Sequence, residues 1–583
     1  MMKKTYNSCI CAAQELFNRG VELMERFERM GNLPDVMEAI AIQQRAVQLT
    51  SDDHPHLPSG LNNLGISFQN RFECTGDVSD LLEAISNHRR AVNLTSNGHP
   101  DMPGVLSNLG VSFQSRFECT GDISDLLEAI STQQRAVHLT PNDHPDTPML
   151  LNNLGISLLS RFGRTGDISD LLEAISIQQR AVHLTPDEHP DMPMWLNNLG
   201  NSFQTRFERT GDVADLSEAI SNKQQAVQLT PDGHPHMPKR LNNLGNSFQS
   251  RFECTGDVSD LLEAISIQQR VVHLTPSGHL DMPMWLNNLG ISLQSRFECT
   301  GDVSDLSEAI SNKQRAVHLT PNGHPDMPMW LNSLGISFQS RFECTGDVSD
   351  LLEAISTHQR AVQLTPDGHP DMPMWLNNLG IAFQTRFERT SDVSDLSEAI
   401  SNKQQAVQLT PDGHPKMPTW LNSLGISFQS HVGRIGDVSY LSKAISTHQR
   451  AVQLTPDGHP HMPKRLNNLG KSFQSRFECT GDVSDLTEAI SNQQCAVQLT
   501  HDGHPDMPKR LNNLGLTFQS RFKCTGDVSD LSEAISTQQR AVHLTPDGHP
   551  HMTIWLDNLG TSFQSRFECT GGFPDIRTAI LTF

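Results

Sequence analysis

The chain has 583 residues, of which 36% are hydrophobic and only 6% aromatic, and its formal net charge is −22 at pH 7. An acidic chain without a cluster of Lys and Arg lacks the basic surface that nucleic acids require, so we expect no nucleic-acid partner. No apolar run reaches the roughly 18 residues of a membrane span, so we expect no membrane partner. Eleven cysteines, an odd number, argue against a disulfide framework and predict a reducing, cytoplasmic setting.

The chain repeats one motif every 45 residues. The string LNNLG, or a close variant, recurs at that interval from Gly65 to Gly560, and a divergent copy stands at Gly20. A second string, EAI, recurs at the same interval from Ala39 to Ala534. We therefore predict about 13 repeats, the first divergent and the last truncated. An N-terminal leader over residues 1–12 precedes a continuous array over residues 13–583.

The first half of each repeat predicts a helix, as residues 191–235 illustrate. Leu196, Leu199 and Phe203 fall on one face at helical spacing. Gly211 follows the last apolar residue, where a glycine in the left-handed conformation commonly ends a helix.

The second half of the repeat predicts another helix, antiparallel to the first. Its D-x-x-E pattern, formed by Asp215 and Glu218, predicts an N-terminal cap. Leu216, Ala219 and Ile220 form its apolar stripe. Neither helix can bury its apolar face alone, so successive repeats must stack.

Small residues recur where two helices must approach closely. A glycine lies on the apolar face of each first helix, and an alanine lies on each second helix. The structural positions include Gly200, Gly245, Gly290, Gly335, Ala219, Ala264 and Ala309. This Leu–Leu–Gly–Phe pattern followed by alanines resembles the tetratricopeptide repeat. The resemblance implies an all-α, right-handed superhelical solenoid that binds proteins or peptides on its concave face, without catalysis or a cofactor.

The string HPDMP ahead of WLNNLG is similar to the longer repeats of kinesin light chains. It is also similar to fungal tetratricopeptide arrays that accompany caspase-like CHAT domains or STAND-type receptors. The resemblance implies an alternative function, in which the chain is the ligand-sensing or regulatory region of such a protein and the effector domain is missing. The sequence has no GxxxxGK[ST] loop. It ends at ILTF inside a predicted helix, and we expect a truncated product.

An asparagine two positions before the repeat glycine is the strongest binding candidate. It lies off the apolar stripe, and an amide can pair with any peptide bond because it both donates and accepts hydrogen bonds. It is similar to the asparagine ladders of O-GlcNAc transferase and of peptide-clamping co-chaperones, which implies that it holds a ligand backbone. The alternatives are bonds to neighbouring helices or simple exposure to water. The candidates are Asn198, Asn243, Asn288, Asn378, Asn468 and Asn513.

Lysines four residues before some of these asparagines share their helix face. They are Lys239, Lys464 and Lys509. Together with Arg465 and Arg510, the last two predict a basic patch that attracts acidic peptide ends. The pattern partly resembles the carboxylate clamp of chaperone-binding repeats, although asparagine stands where that clamp has arginine. Methionines at the same position, Met284, Met329 and Met374, predict an apolar strip for an adaptable partner.

Three further positions carry chemically distinctive residues. A histidine precedes each first helix from His54 to His549, and we interpret it as ordering the loop, with metal binding as the alternative. Cysteines such as Cys344 alternate with arginines such as Arg389, which predicts exposed side chains and no catalytic thiol. Tryptophan at six copies of one position alternates with Gly, Val, Leu and Arg. This predicts a half-exposed site that serves either as packing between repeats or as a ligand contact.

Overall fold

The protein is described by a computed structural model. It describes residues 2–30, 32–96, 98–186, 188–231, 233–276, 278–321, 323–366, 368–411, 413–545, 549 and 551–571. Within these ranges all regular structure is helical, and no strand occurs. The predicted all-α class is therefore confirmed.

The described residues form 25 helices. These are α1 (Met2–Met30), α2 (Leu33–Leu49), α3 (Leu57–Thr75), α4 (Val78–Leu94), α5 (Met102–Thr120), α6 (Ile123–Leu139), α7 (Thr147–Thr165), α8 (Ile168–Leu184), α9 (Met192–Thr210), α10 (Val213–Gln228), α11 (Met237–Thr255), α12 (Val258–Leu274), α13 (Met282–Thr300), α14 (Val303–Leu319), α15 (Met327–Thr345), α16 (Val348–Leu364), α17 (Met372–Thr390), α18 (Val393–Leu409), α19 (Met417–Ile435), α20 (Ser439–Gln453), α21 (Met462–Thr480), α22 (Val483–Gln498), α23 (Met507–Thr525), α24 (Val528–His543) and α25 (Met552–Thr570). Odd-numbered helices are the first helices of the repeats and even-numbered ones the second, which confirms the helix-pair repeat of about 45 residues.

The chain divides into two compact units, residues 1–292 and 293–583. In each unit a first helix packs along its own second helix, and that second helix packs against the next first helix. The handedness of the array, its continuity and the leader boundary at residue 12 stay predictions. The second helix of the last repeat lies outside the described residues. None of the described helices is both long and apolar enough to cross a lipid bilayer.

Local sequence sets both ends of each first helix. In α9, Pro193 occupies the first turn, where its missing N–H leaves no hydrogen bond unmade. At the other end Gly211 has φ 75°, and its N–H donates to the Phe207 carbonyl at 2.7 Å. The predicted left-handed terminator is thus present.

The second helix begins differently from the predicted D-x-x-E cap. The N-cap of α10 is Asp212, whose carboxylate accepts a hydrogen bond from the Ala214 N–H at 3.0 Å. Asp215 is instead buried, and both its oxygens accept hydrogen bonds from the Arg206 guanidinium. The prediction was wrong because two aspartates three residues apart both suit a helix start, and only the first has the extended backbone of a cap.

Buried side chains join successive repeats into local hydrophobic clusters. One such cluster connects α8, α9 and α10 through Leu171, Leu199 and Ala219. Equivalent clusters recur along each unit, for example around Leu351 and Leu379 in the second. Each repeat therefore buries its apolar faces against its neighbours, as a stacked array requires.

The repeat glycines lie against long side chains of the second helix. A Cβ added at Gly335 would lie 2.7 Å from the His358 ring, and one added at Gly245 would lie 3.1 Å from Gln268 Cγ. Gly290 is buried, and Ala219, Ala264 and Ala309 are fully buried.

Candidate functional site

The asparagines two positions before the repeat glycines donate hydrogen bonds to side chains of the preceding first helices. Together these bonds form a ladder between successive first helices. The Asn198 Nδ2 donates to Asn152 Oδ1 at 3.1 Å, and Asn243 Nδ2 donates to Asn197 Oδ1 at 3.1 Å. The same bond, 3.0 to 3.2 Å long, links Asn288 to Asn242, Asn378 to Asn332, Asn468 to Asn422 and Asn513 to Asn467. Bonding to neighbouring helices was one of the alternatives, and the structure shows it.

The ladder occupies only part of each amide. Asn198 and its five equivalents are half-buried, so each side chain still reaches the surface. One N–H of each amide donates along the ladder, while the second N–H and the carbonyl oxygen stay available to a ligand. We call this surface of the first helices the asparagine face.

Further amides extend the asparagine face along the first helices. Gln69 Nε2 donates to Ser115 Oγ at 2.9 Å, and Gln114 Nε2 donates to Ser160 Oγ at 2.8 Å. These bonds also join successive first helices, and Gln114 Nε2 donates as well to the Glu118 carboxylate at 2.9 Å, so the surface there combines amides, hydroxyls and carboxylates.

The predicted lysines are all exposed, but the predicted arginines are not. Lys239, Lys464 and Lys509 are exposed on the first turns of α11, α21 and α23. Arg465 is buried instead, and its guanidinium donates to the Thr455 hydroxyl at 2.5 Å.

Arg510 is likewise buried and donates to the Thr500 hydroxyl. The expectation that both arginines belong to a basic patch is wrong, because each guanidinium folds inward to satisfy a threonine.

Two further lysines, Lys416 and Lys471, lie near Lys464 and Lys509 and were not predicted from the sequence. Lys471 is half-buried on α21, and its pKa is lowered by burial and then by the charge of Lys509. The pKa of His461 is lowered by burial and by neighbouring cations, Lys416 and Lys464 among them. We call Lys416, Lys464, Lys471 and Lys509 the lysine cluster. Like charges gathered on one surface of an acidic chain mark a place for an anion.

The tryptophan position is buried, which contradicts the predicted half exposure. Trp195 and Trp285 are each only 2% exposed. Arg240, at the same position, is also buried and donates to the Thr230 hydroxyl at 2.5 Å. Exchange between tryptophan and arginine therefore does not indicate exposure here, because the arginine stem packs like an apolar chain and its head finds an internal acceptor.

The loop histidines order the start of each first helix. His189 Nδ1 accepts a hydrogen bond from the Asp191 N–H at 3.2 Å, next to the first residue of α9. The same ring stacks on Trp195, with centroids 5.0 Å apart. Among the described residues no group of three His, Cys, Asp or Glu side chains is placed to hold a metal ion.

A column of buried polar residues in the second helices was not predicted. Lys223 Nζ donates to Gln204 Oε1 at 2.6 Å, to Ser247 Oγ at 2.8 Å and to the Asn243 carbonyl at 3.4 Å. Burial lowers the pKa of Lys223 to about 7. Lys313 and Lys403 repeat the arrangement with the same pKa.

Other repeats place histidine or glutamine at the Lys223 position. Burial lowers the pKa of His88, His358 and His448 to about 4. A position that is always Lys, His or Gln inside an apolar stripe was a signal that the sequence already contained.

Comparisons with known proteins find similar solved structures at low sequence identity. The sequence matches no protein-family model and no curated protein. The human IFIT1 dimer with PPP-AAAA is 14% identical, with 84% of this chain and 94% of that one covered and a TM-score of 0.40. The Cut9–Hcn1 hetero-tetramer of APC/C is 14% identical, with 96% and 94% covered and a TM-score of 0.38. A Podospora anserina putative kinesin light chain with nearly identical TPR-like repeats is 16% identical, with 37% and 98% covered and a TM-score of 0.29.

Of these structures, the Podospora anserina protein is described as having TPR-like repeats. In the present chain the described helices are paired in repeats of about 45 residues, consistent with a solenoid.

Proposed function

We propose that the chain is a non-catalytic scaffold that binds protein or peptide partners on the asparagine face. We place it in the cytoplasm, as a continuous array over residues 13–583 after a leader over residues 1–12. The free and exposed cysteines, such as Cys344, suit a reducing compartment. The net charge of −22 favours protein partners over nucleic acids.

The observation that carries this proposal is the half-used amide ladder. Each asparagine is fixed by its bond to the preceding first helix, so its free N–H and carbonyl are held in place before a ligand arrives. Fixed donors and acceptors lower the entropy that is lost when an extended peptide binds. The ladder bonds therefore support peptide recognition, because they orient the same side chains that we propose as the ligand contacts.

The lysine cluster determines which partner fits one part of that face. Lys464 stands one turn before Asn468 on α21, and Lys509 stands one turn before Asn513 on α23. Each pair offers an ammonium for a carboxylate and an amide for a peptide bond. We therefore propose that this part of the asparagine face binds the acidic end of a peptide.

The absence of a unique polar constellation supports a binding role without catalysis. Histidine, asparagine and cysteine positions each recur in many repeats, whereas a catalytic nucleophile needs one positioned base. The nine cysteines from Cys74 to Cys569 are exposed, and partial burial raises the pKa of Cys254 further from the reactive range.

A fluorescently labelled peptide that ends in several glutamates tests the proposal. We expect Lys464→Ala combined with Lys509→Ala to weaken its binding about tenfold at low salt, because two charge contacts are lost. Lys523→Ala is the matched control, since it removes an exposed lysine from the far end of α23 and should leave affinity unchanged.

The asparagines are tested in the same titration. Asn468→Ala combined with Asn513→Ala should weaken binding of the glutamate peptide. The comparison variant, Asn198→Ala combined with Asn243→Ala, breaks equivalent ladder bonds at positions far from the lysine cluster in the sequence. Equal loss in both pairs would show that the ladder acts only through stability. Unchanged binding in the first pair would remove the asparagines from the proposed contact.

A further inference from the structure

A groove opens over three consecutive repeats of the first unit. It encloses about 1270 Å³ between the loops that precede α3, α5 and α7 and the first turns of those helices. His54, His99 and His144 line it, together with Val105 and Leu150. We call it the histidine groove.

Two residues that line the groove stand at the tryptophan position and are smaller than tryptophan. Val105 and Leu150 stand where Trp195 and Trp285 stand in later repeats. At the third small residue, Gly60, the space is already filled. A Cβ added at Gly60 would lie 2.2 Å from Phe17 Cε1.

Later repeats, which carry tryptophan at this position, show how its ring packs against the loop histidine. The His189 ring stacks on Trp195 at 5.0 Å and 26°, and the His279 ring stacks on Trp285 at 4.9 Å and 26°. The indole N–H of both tryptophans has no acceptor among the described residues. The tryptophan side chain therefore contacts the histidine through ring stacking and not through a hydrogen bond from its indole N–H.

We propose that the histidine groove binds an aromatic side chain of a partner peptide, which stacks on His99 or His144 as Trp195 stacks on His189. The inference rests on the proposed role of the chain as a peptide-binding scaffold, and it names the chemistry of one partner. It concerns α3, α5 and α7, and none of the residues in the lysine cluster.

The histidines of the groove are already oriented for stacking. His99 Nδ1 accepts from the Asp101 N–H and His144 Nδ1 accepts from the Asp146 N–H, each at 3.2 Å. Both rings are exposed to the groove side of the loops and line it. An acceptor role for Nδ1 places the proton of the neutral ring on Nε2, which leaves the ring faces free for an aromatic partner.

The charge of the rim selects the residues that flank the aromatic ring. Asp52, Asp53, Asp101 and Asp146 line the groove. Asp52 is paired with Arg90 at 2.5 Å, and the carboxylates of Asp101 and Asp146 each lie 3.8 Å from Nδ1 of His99 and His144. Carboxylates around an apolar floor favour Lys or Arg on the partner.

Amides complete the surface for a peptide. Asn62 and Asn108 line the same groove, with Asn108 Nδ2 donating to Asn62 Oδ1 at 3.1 Å. The fitting occupant is therefore an extended peptide with an aromatic residue between basic ones.

Fluorescence anisotropy with the full chain tests the proposal. The probe is the labelled peptide Lys-Gly-Trp-Gly-Lys, and its control has Leu in place of Trp. We expect the Trp peptide to bind about tenfold more tightly, the size of a good ring contact. Equal affinity of the two peptides, or no binding of either, would overturn the proposal.

Filling the groove from within gives the matched variant. Val105→Trp with Leu150→Trp places indoles where other repeats already carry them, and we expect the Trp peptide to lose at least about tenfold in affinity. Arg510→Trp introduces the same residue at the same position in the second unit and should leave binding unchanged. Unaltered binding in the double variant contradicts the proposal.

A second variant guards against misfolding of the first. His99→Asn with His144→Asn keeps a side-chain acceptor for the backbone N–H but removes both rings, and it should cause the same loss. Binding that survives this change overturns the stacking. The glutamate peptide is titrated against the same proteins. A loss of binding at the lysine cluster is thereby distinguished from a loss of binding at the histidine groove.

Discussion

Gly200 and Lys223 share one space between α9 and α10. A Cβ added at Gly200 would lie 2.8 Å from Lys223 Cγ and 3.0 Å from the Ala219 carbonyl oxygen. The glycine thus admits the lysine stem, which passes over the first helix to reach its buried acceptors. The repeat glycine is required as much by this long polar side chain as by the approach of the two backbones.

The buried lysines should make stability depend on pH in a particular direction. Burial lowers the pKa of Lys313 to about 7, against an ordinary 10.5, and the charge of Glu298 offsets only part of this. Between those values the unfolded chain binds more protons, so stability rises with pH and falls on acidification toward 7. We expect about 3 kcal/mol of this dependence to vanish in Lys313→Gln, measured by urea unfolding at pH 7 and pH 10.

Lys464→Gln is the control for that experiment, because it removes an exposed lysine from a first helix, α21, instead of a buried one from a second helix. Its pH dependence should match that of the unchanged chain. If Lys313→Gln also leaves the slope unchanged, the lysine keeps an ordinary pKa in the folded protein.

A bulky side chain at the repeat glycine should destabilise its repeat. Gly335→Leu forces a side chain onto the His358 ring and the Thr357 hydroxyl, which lie 2.7 and 2.8 Å from an added Cβ. We expect a loss of about 1 to 3 kcal/mol in thermal or urea unfolding. Cys344→Arg, at the exposed end of the same helix, should change stability by less than about 0.5 kcal/mol. Equal shifts would contradict the assigned positions.

Ser391 should be improved by glycine. It ends α17 with φ 60°, a left-handed conformation that equivalent positions such as Gly346 adopt without strain. Ser391→Gly is expected to raise the free energy of unfolding by about 1 kcal/mol. The reverse change, Gly346→Ser, should lower it by a similar amount, and hydrogen exchange at the ends of α15 and α17 locates both effects. Two shifts of the same sign would refute the explanation.

The Arg–Asp pair that recurs in most of the described repeats should contribute measurably to stability. Arg341 donates two hydrogen bonds to Asp350, whose carboxylate is nearly fully buried. Arg341→Ala leaves that charge unpaired, and we expect a loss of about 2 to 3 kcal/mol in urea unfolding.

One repeat offers a natural rescue for that variant. His431 and Tyr440 occupy the equivalent positions there and stack at 3.9 Å. Arg341→His combined with Asp350→Tyr should therefore recover most of the loss. A double variant no more stable than Arg341→Ala would show that the stack cannot replace the ion pair.

Periodicity allowed the fold class to be predicted, because each copy states the same helical pattern again. Leu199, Gly211 and Ala219 have the roles that the spacing indicated. The pattern could not separate Asp212 from Asp215, since cap and ion pair draw on the same residue type.

Side-chain direction was harder to predict than helix position. Arg465 and Lys464 are adjacent, yet one turns inward to Thr455 while the other faces water. The internal acceptor of Arg465 lies ten residues away, in the loop before its helix, so helical spacing could not reveal it. The asparagine ladder joins residues 46 apart, and for the same reason it stood only as one of several alternatives.

Phe17 occupies the space beside Gly60, the first of the three small residues at the tryptophan position. Two ring positions remain, one on α5 and one on α7, at Val105 and Leu150. Adjacent helices lie about 8 to 10 Å apart, and an extended strand advances about 3.3 Å per residue. If the groove binds aromatic side chains as proposed, we expect a ligand with two aromatic residues three apart to reach both places at once and to gain avidity from that spacing.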